Sequence, residues 1–187
     1  MSRTICTRLF LATLCAPLSI TAANAQVTFT TPSADEARAP RPARAPGPAL
    51  EPALIAAQTA VETCALKGYR VSVAVVYSAG LPVVLLSGNG AAAITQSIGM
   101  GKAVSSVRNG KPSADLAQEA QSNAELAAKL AADPQQGPQR GGGIPILEGS
   151  TVVGAIGVSV APGANFDIEC AQAGLEKMAL AESPSHH

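Results

Sequence analysis

The sequence predicts an α+β domain: an antiparallel sheet of two hairpins with helices packed on it. The hydrophobic period changes along the chain in the order helix, hairpin, two helices, hairpin, helix. The paired period-two segments are joined by short glycine-containing turns, Ser78-Ala79-Gly80 and Glu148-Gly149-Ser150, which is how antiparallel neighbours are connected. Hydrophobic residues make up 47% of the 187, enough to close one ordinary core.

Taken in order, Leu50, Leu54, Ala57, Val61, Cys64 and Ala65 share one helical face. Pro52 falls in that helix's first turn, where a missing N–H is harmless, and Gly68 follows as a cap. In YRVSVAVV, Val71, Val73 and Val75 face one way and Ser72 and Ala74 the other, and LPVVLLS returns as the partner strand. A helix is expected from about Ala92 to Arg108, stopped by Asn109-Gly110. One further helix, capped by Ser113 with Asp115 in its first turn, is expected to continue up to Pro134. Residues 134–143 read as a loop rich in Gln and Gly. In the second hairpin GIPIL pairs with TVVGAIGVSV, in which Val152, Ile156, Val158 and Val160 form a branched face and Ala155, Gly157 and Ser159 a small one. Glycine inside a strand points to a close neighbour, a packed helix or a ligand. Asp167 opens the last helix, which carries Ile168, Ala171, Leu175, Met178 and Ala179. The helices at 51–67 and 167–181 are expected together on the small-residue face of the sheet.

The flanks read differently. Residues 1–25 have the form of a secretory signal: Arg3 and Arg8, a short apolar stretch from Leu9, then Ala23-Asn24-Ala25 as a cleavage site. The stretch falls short of the ~20 residues a membrane span needs, so a periplasmic or secreted protein with no span after cleavage is expected. Residues 26–49, with Pro32, Pro40, Pro42, Pro46 and Pro48 among Ala and Arg, read as a linker. The domain is expected over 50–181, with a tail at 182–187.

Composition removes several function classes. Thirteen Lys+Arg balance thirteen Asp+Glu, so no basic excess exists for a nucleic-acid partner. Aromatic residues make up 3%, with no Trp, which argues against stacking platforms. His186 and His187 are the only histidines, which excludes a Ser-His-Asp triad, a Cys-His pair or a His-ligated zinc centre within the fold. Cys6 and Cys15 belong to the signal, leaving Cys64 near the end of the first helix and Cys170 near the start of the last. If those helices pack antiparallel the two meet, and an oxidising compartment lets them bond; the alternative is two separate buried thiols.

GGGIPILEGSTVVGAIGVSVAPGANFDIECAQAGLEKMA, together with VSVAVVYSAGLPVVLLSGNGAA and Gly101-Lys102-Ala103, resembles the GlcG/HbpS-like family over about residues 50–180. That resemblance implies a profilin-like sandwich, homo-oligomers and, for some members, binding or degradation of haem or a related tetrapyrrole. The chain departs from the family at Tyr77, where an acidic residue is usual. It departs again at Ser87-Gly88-Asn89-Gly90-Ala91, where an Arg-Met-Asp-Gly-Ala-like segment is usual.

Several residues are candidates for such a ligand. Gly141-Gly142-Gly143 after Arg140 offers backbone N–H groups beside a cation, suited to a carboxylate such as a haem propionate, or else a flexible lead into the hairpin. Lys102 lies among small residues where it either pairs an acid group or is simply solvated. Without an internal histidine, Tyr77, Tyr69 and Met100 are the side chains able to act as a haem axial ligand, Tyr77 or Met100 before Tyr69. The small-residue helix from Gly99 to Ser106 is expected to join subunits. The reading taken is an exported haem or tetrapyrrole binding protein acting as carrier, buffer or sensor accessory; the alternatives are a structural accessory subunit without ligand and a haem-degrading enzyme.

Overall fold

Helix α1 (Leu50–Leu66) leads into the hairpin β1 (Ser72–Tyr77) and β2 (Pro82–Ser87). Three helices follow, α2 (Ile94–Asn109), α3 (Ser113–Ala120) and α4 (Ala124–Ala132), then the hairpin β3 (Gly143–Glu148) and β4 (Thr151–Ser159), and finally α5 (Ala164–Glu182). This computed structural model describes residues 44–137, 139–159 and 162–182. A boundary between Pro42 and Ala43 divides the chain into two units. The expected signal at 1–25, most of the expected linker and the His186-His187 tail lie outside the described residues. Among the described residues no helix is long and apolar enough to cross a membrane.

Both hairpins join in one antiparallel sheet of order β2-β1-β4-β3, with β1 and β4 at its centre. Their central position follows from composition. Val71, Val73, Val75, Ile156 and Val158 are completely buried on one face, whereas β2 and β3 carry exposed Leu85 and Leu147 at the two edges. The branched face receives α1 and α5 in a single core with Ala53, Ala56, Ala57, Ala60 and Ala171. These helices approach closely because they meet through alanine and glycine. A methyl group on Gly174 would stand 2.5 Å from the Ala56 carbonyl oxygen.

The two helices share a face, as expected, but it is the branched face and not the small one. The small face takes α2. Ala74, Val76, Ala103, Val107 and Ala155 form its core, and a Cβ on Gly157 would lie 2.1 Å from the Gly99 carbonyl oxygen and 2.6 Å from the Ala103 nitrogen. The sheet is therefore covered on both sides. A bulge explains one misread residue. Ile146 pairs with Gly154 but Leu147 with Val152, so Val153 is an extra residue in β4. The bulge turns Val153 into the α1–α5 core and Val152 toward α2, against the simple alternation.

The single helix expected between Ser113 and Pro134 is two helices. Asn123 restarts the chain as an N-cap, its side chain accepting from the Leu126 N–H at 3.0 Å. Ser113 is the first residue of α3 and not its cap. Asn109-Gly110 ends α2 as read, with Gly110 at φ 65°.

Cys64 and Cys170 form a disulfide with Cα atoms 5.7 Å apart, tying the C-terminal end of α1 to the first turns of α5. Outside the helices, Pro46 accepts a hydrogen bond from the Ser78 N–H at 2.9 Å, Gly47 packs half-buried against Tyr77, and Pro48 is buried. Residues 46–48 thus lie on the domain, upstream of Leu50.

Candidate functional site

The candidate residues do not converge. Tyr77 ends β1 on the α1–α5 side of the sheet, where Gly47 is packed so tightly that a Cβ there would stand 2.5 Å from its ring. The Arg44 guanidinium lies 5.6 Å from its ring centroid and donates a long hydrogen bond of 3.4 Å to its hydroxyl. Met100 lies on the opposite side of the sheet, among the residues packed with α2, and lines a cleft of about 320 Å³ with Leu81, Ser97 and Val104. Tyr77 and Met100 therefore serve different surfaces.

Lys102 is neither solvated nor open to a ligand. It is 2% exposed; its Nζ donates to Asp167 Oδ2 at 2.6 Å and to the Val158 carbonyl oxygen at 3.0 Å. Burial pushes its ammonium below the ordinary lysine range. The hydrogen bond and charge of Asp167 oppose that shift, and Arg140 adds to it by like-charge repulsion.

Gly141, Gly142 and Gly143 are all buried, neither an open anion cradle nor a flexible lead into the hairpin. The Gly143 N–H is taken by Ser113 Oγ at 2.9 Å, and the Gly142 carbonyl accepts from Val158 N–H at 2.9 Å. The Ser113 hydroxyl donates in turn to the Arg140 carbonyl. Side chains are excluded at all three positions: a Cβ would meet Ile168 at Gly141, the Val158 carbonyl oxygen at Gly142 and the Lys102 carbonyl oxygen at Gly143, each within 2.6 Å. Only Arg140 itself is exposed. Loop and buried ion pair together plug the junction of α2, α3, β4 and α5.

The expected subunit surface at Gly99–Ser106 is interior as well. Gly99 lies against the Ser72 and Gly157 carbonyl oxygens, Gly101 against Gly137, and residues 101–107 are all buried. These small residues admit the sheet and the loop of the same chain.

What remains open is a groove that the sequence barely signals. It has a volume of about 470 Å³ and is lined by Tyr69, Arg70, Gly90, Ile94, Thr95 and Ile98, among others. A second depression of about 430 Å³ shares Tyr69 and Arg70 and runs along Val61, Gly88 and Asn89. Each part is placed by a structural cause. Thr95 is fixed to the sheet by Ser72 Oγ at 2.6 Å and by the Ser159 hydroxyl, which donates to its carbonyl, so Ile94 and Ile98 stand on the outer turn of α2. Ile94 is 63% exposed, an apolar side chain left in water. Tyr69 is held by its N–H on the Cys64 carbonyl at 3.0 Å and by Phe166, whose ring centroid is 4.9 Å away. Its hydroxyl has no hydrogen-bond partner among the described residues. The Arg70 side chain lies over Gly90, where a Cβ would stand 3.2 Å from its Cδ, and it pairs with no carboxylate among the described residues.

An apolar wall, a fixed phenol and an unpaired guanidinium suit a flat apolar ligand bearing carboxylates. Haem has that chemistry, and its iron accepts a tyrosine oxygen. Among the described residues, no group of three His, Cys, Asp or Glu could hold a bare metal ion.

Comparisons with known proteins agree with this architecture. No match is found among the curated proteins. The crystal structure of HbpS is 32% identical, with a TM-score of 0.65 over 73% of this chain and 93% of that one. Protein ORFY of Klebsiella pneumoniae is 21% identical, with a TM-score of 0.66 over 75% of this chain and 96% of that one. PduOC, crystallised as a complex with haem, is 19% identical, with a TM-score of 0.64 over 70% and 94%. Residues 49–176 match the family described as haem degrading protein HbpS-like, and the chain belongs to that family.

Proposed function

We propose that this protein is an exported binding protein for haem or a closely related tetrapyrrole, acting as a carrier, buffer or sensor accessory, with the groove at Tyr69 and Arg70 as its site. One observation carries the reading: a guanidinium without a carboxylate partner among the described residues lies over Gly90 in a groove walled by exposed Ile94 and half-buried Ile98. Gly90 belongs to the segment Ser87–Ala91, where this chain lacks the charged side chains usual in the family it resembles. Arg70, from the neighbouring chain turn, supplies a cation at that place. Family membership and the haem complex of a protein with this fold support the choice of ligand.

Under this reading Ile94 and Ile98 cover one face of the ring, Arg70 pairs a propionate, and Tyr69 stands beside the ring. Haem, when bound, supplies a redox-active iron. Self-association belongs to the proposal too, through surfaces other than α2. The edge strands β2 and β3, with exposed Leu85 and Leu147, are available for it.

Absorption titration of the purified protein with ferric haem tests the reading. Saturable binding at micromolar concentration with a shifted Soret band is expected. Arg70→Gln is expected to weaken binding about tenfold, the size of one charge-assisted hydrogen bond, while Lys111→Gln leaves it unchanged. Absence of saturable binding overturns the proposal and favours an accessory subunit without ligand, a reading to which the sealed loop at Gly141–Gly143 lends support.

A further inference from the structure

We infer that Tyr69, and not Tyr77 or Met100, is the side chain that bonds the iron of haem, an assignment that rests on the binding reading above. The argument is one of availability. Tyr77 has its hydroxyl against Arg44 and its ring under Gly47. Met100 lines a separate cleft with Leu81, Ser97 and Val104, where the lining includes no cation. Lys102 is spent on Asp167 and Val158 inside the fold. Tyr69 alone of these lines a groove that also holds a cation without a carboxylate partner, and its own oxygen has no hydrogen-bond partner among the described residues.

Its position is fixed from two sides, and the second is itself braced. The disulfide holds Cys64, whose carbonyl accepts the Tyr69 N–H; Phe166 of α5 braces the ring; and Lys67, paired with Glu169, lies 6.0 Å from the Phe166 ring centroid. A ligand atom held this way loses little side-chain freedom on binding. The bonding step is a simple exchange: the phenol releases its proton to water and its oxygen donates a lone pair to ferric iron. Nothing is oxidised or reduced.

The test separates ring binding from iron bonding by using two probes, metal-free protoporphyrin and ferric haem. Both are titrated into the wild-type protein, Tyr69→Phe and Tyr77→Phe. Phenylalanine keeps the Phe166 contact and removes only the oxygen. The expected result is equal protoporphyrin binding in all three proteins. Haem is expected to bind Tyr69→Phe at least about tenfold more weakly, since loss even of an outer partner of a metal site costs about that much. Its phenolate-to-iron charge-transfer band disappears in Tyr69→Phe and persists in Tyr77→Phe. If protoporphyrin and haem both bind but the haem spectrum survives Tyr69→Phe, the assignment is wrong while the groove stands. If Tyr69→Phe loses protoporphyrin as well, the hydroxyl serves the ring and the assignment again fails. If neither probe binds the wild type, the binding reading falls and the assignment with it.

Discussion

Reducing the disulfide between Cys64 and Cys170 removes the longest covalent constraint in the domain. The two residues are 106 apart in sequence. For a loop of that length the chain-entropy model gives about 16 cal/mol/K, or about 4.8 kcal/mol at 25 °C, chiefly by restricting the unfolded chain. The described domain, about 140 residues long, unfolds with an entropy near 0.3 kcal/mol/K, so the expected fall in Tm is about 16 °C. Little compensates for it. The Lys67–Glu169 pair that spans the same two helix ends is partly exposed, and such pairs contribute little. The assay is scanning calorimetry of the oxidised protein against protein unfolded, reduced with an excess of dithiol and refolded in it. Free thiols are counted by mass after alkylation. A reduced form with Cys64 and Cys170 both free and a Tm within about 3 °C of the oxidised one would refute the reasoning, because the unfolded chain would then gain nothing from the cut.

Asp167→Ala leaves the Lys102 ammonium buried without its carboxylate and is expected to cost about 3–5 kcal/mol in denaturant unfolding. The double variant Lys102→Met/Asp167→Leu is expected to recover most of that, and a double variant as unstable as the single one contradicts this account of the pair. The pH dependence follows from the same group. Its folded pKa lies below the ordinary 10.5 because burial disfavours the charge. Between the two values the unfolded chain therefore holds more protons, and stability contributed by Lys102 rises with pH across that window. The difference in unfolding free energy between wild type and the double variant is expected to grow in favour of wild type as pH approaches 10.5, and a flat difference opposes the assignment. Gly157→Ala drives a methyl group into the Gly99 carbonyl and the Ala103 nitrogen. A loss of about 3 kcal/mol or more is expected, near the upper end for overpacking, and a change below about 1 kcal/mol would mean that α2 does not sit against β4 in this way.

The strands and helices were legible because burial leaves a period in the sequence. Val73 and Val75 alternate with Ser72 and Ala74, and the two sets are indeed divided between the two faces of the sheet. Which helix takes which face was not legible. Small residues on a strand announce close approach but do not say by what, and Gly157 receives α2 where α1 and α5 were expected. The cysteine pair could be read because two helix ends and an antiparallel packing bring it together. Lys102 misleads because lysines are ordinarily solvated, and its partner Asp167 lies 65 residues further on. Gly141–Gly143 misleads because glycine suits both an open cradle and a site with no room for a side chain. The groove is assembled from residues 68–70, 90–98 and Pro162, so no local pattern marks it. The nearest signals were Tyr69, noted only as a residue able to bond iron, and Ile94, an apolar side chain at the start of a helix whose buried residues are mostly small.

The most direct measurement is a crystal structure of the protein grown with ferric haem. The account predicts the ring in the Tyr69–Arg70 groove, with Ile94 and Ile98 against one face and a propionate on the Arg70 guanidinium. Haem bound instead in the Met100 cleft, or beside Tyr77 after displacement of residues 44–48, would contradict it.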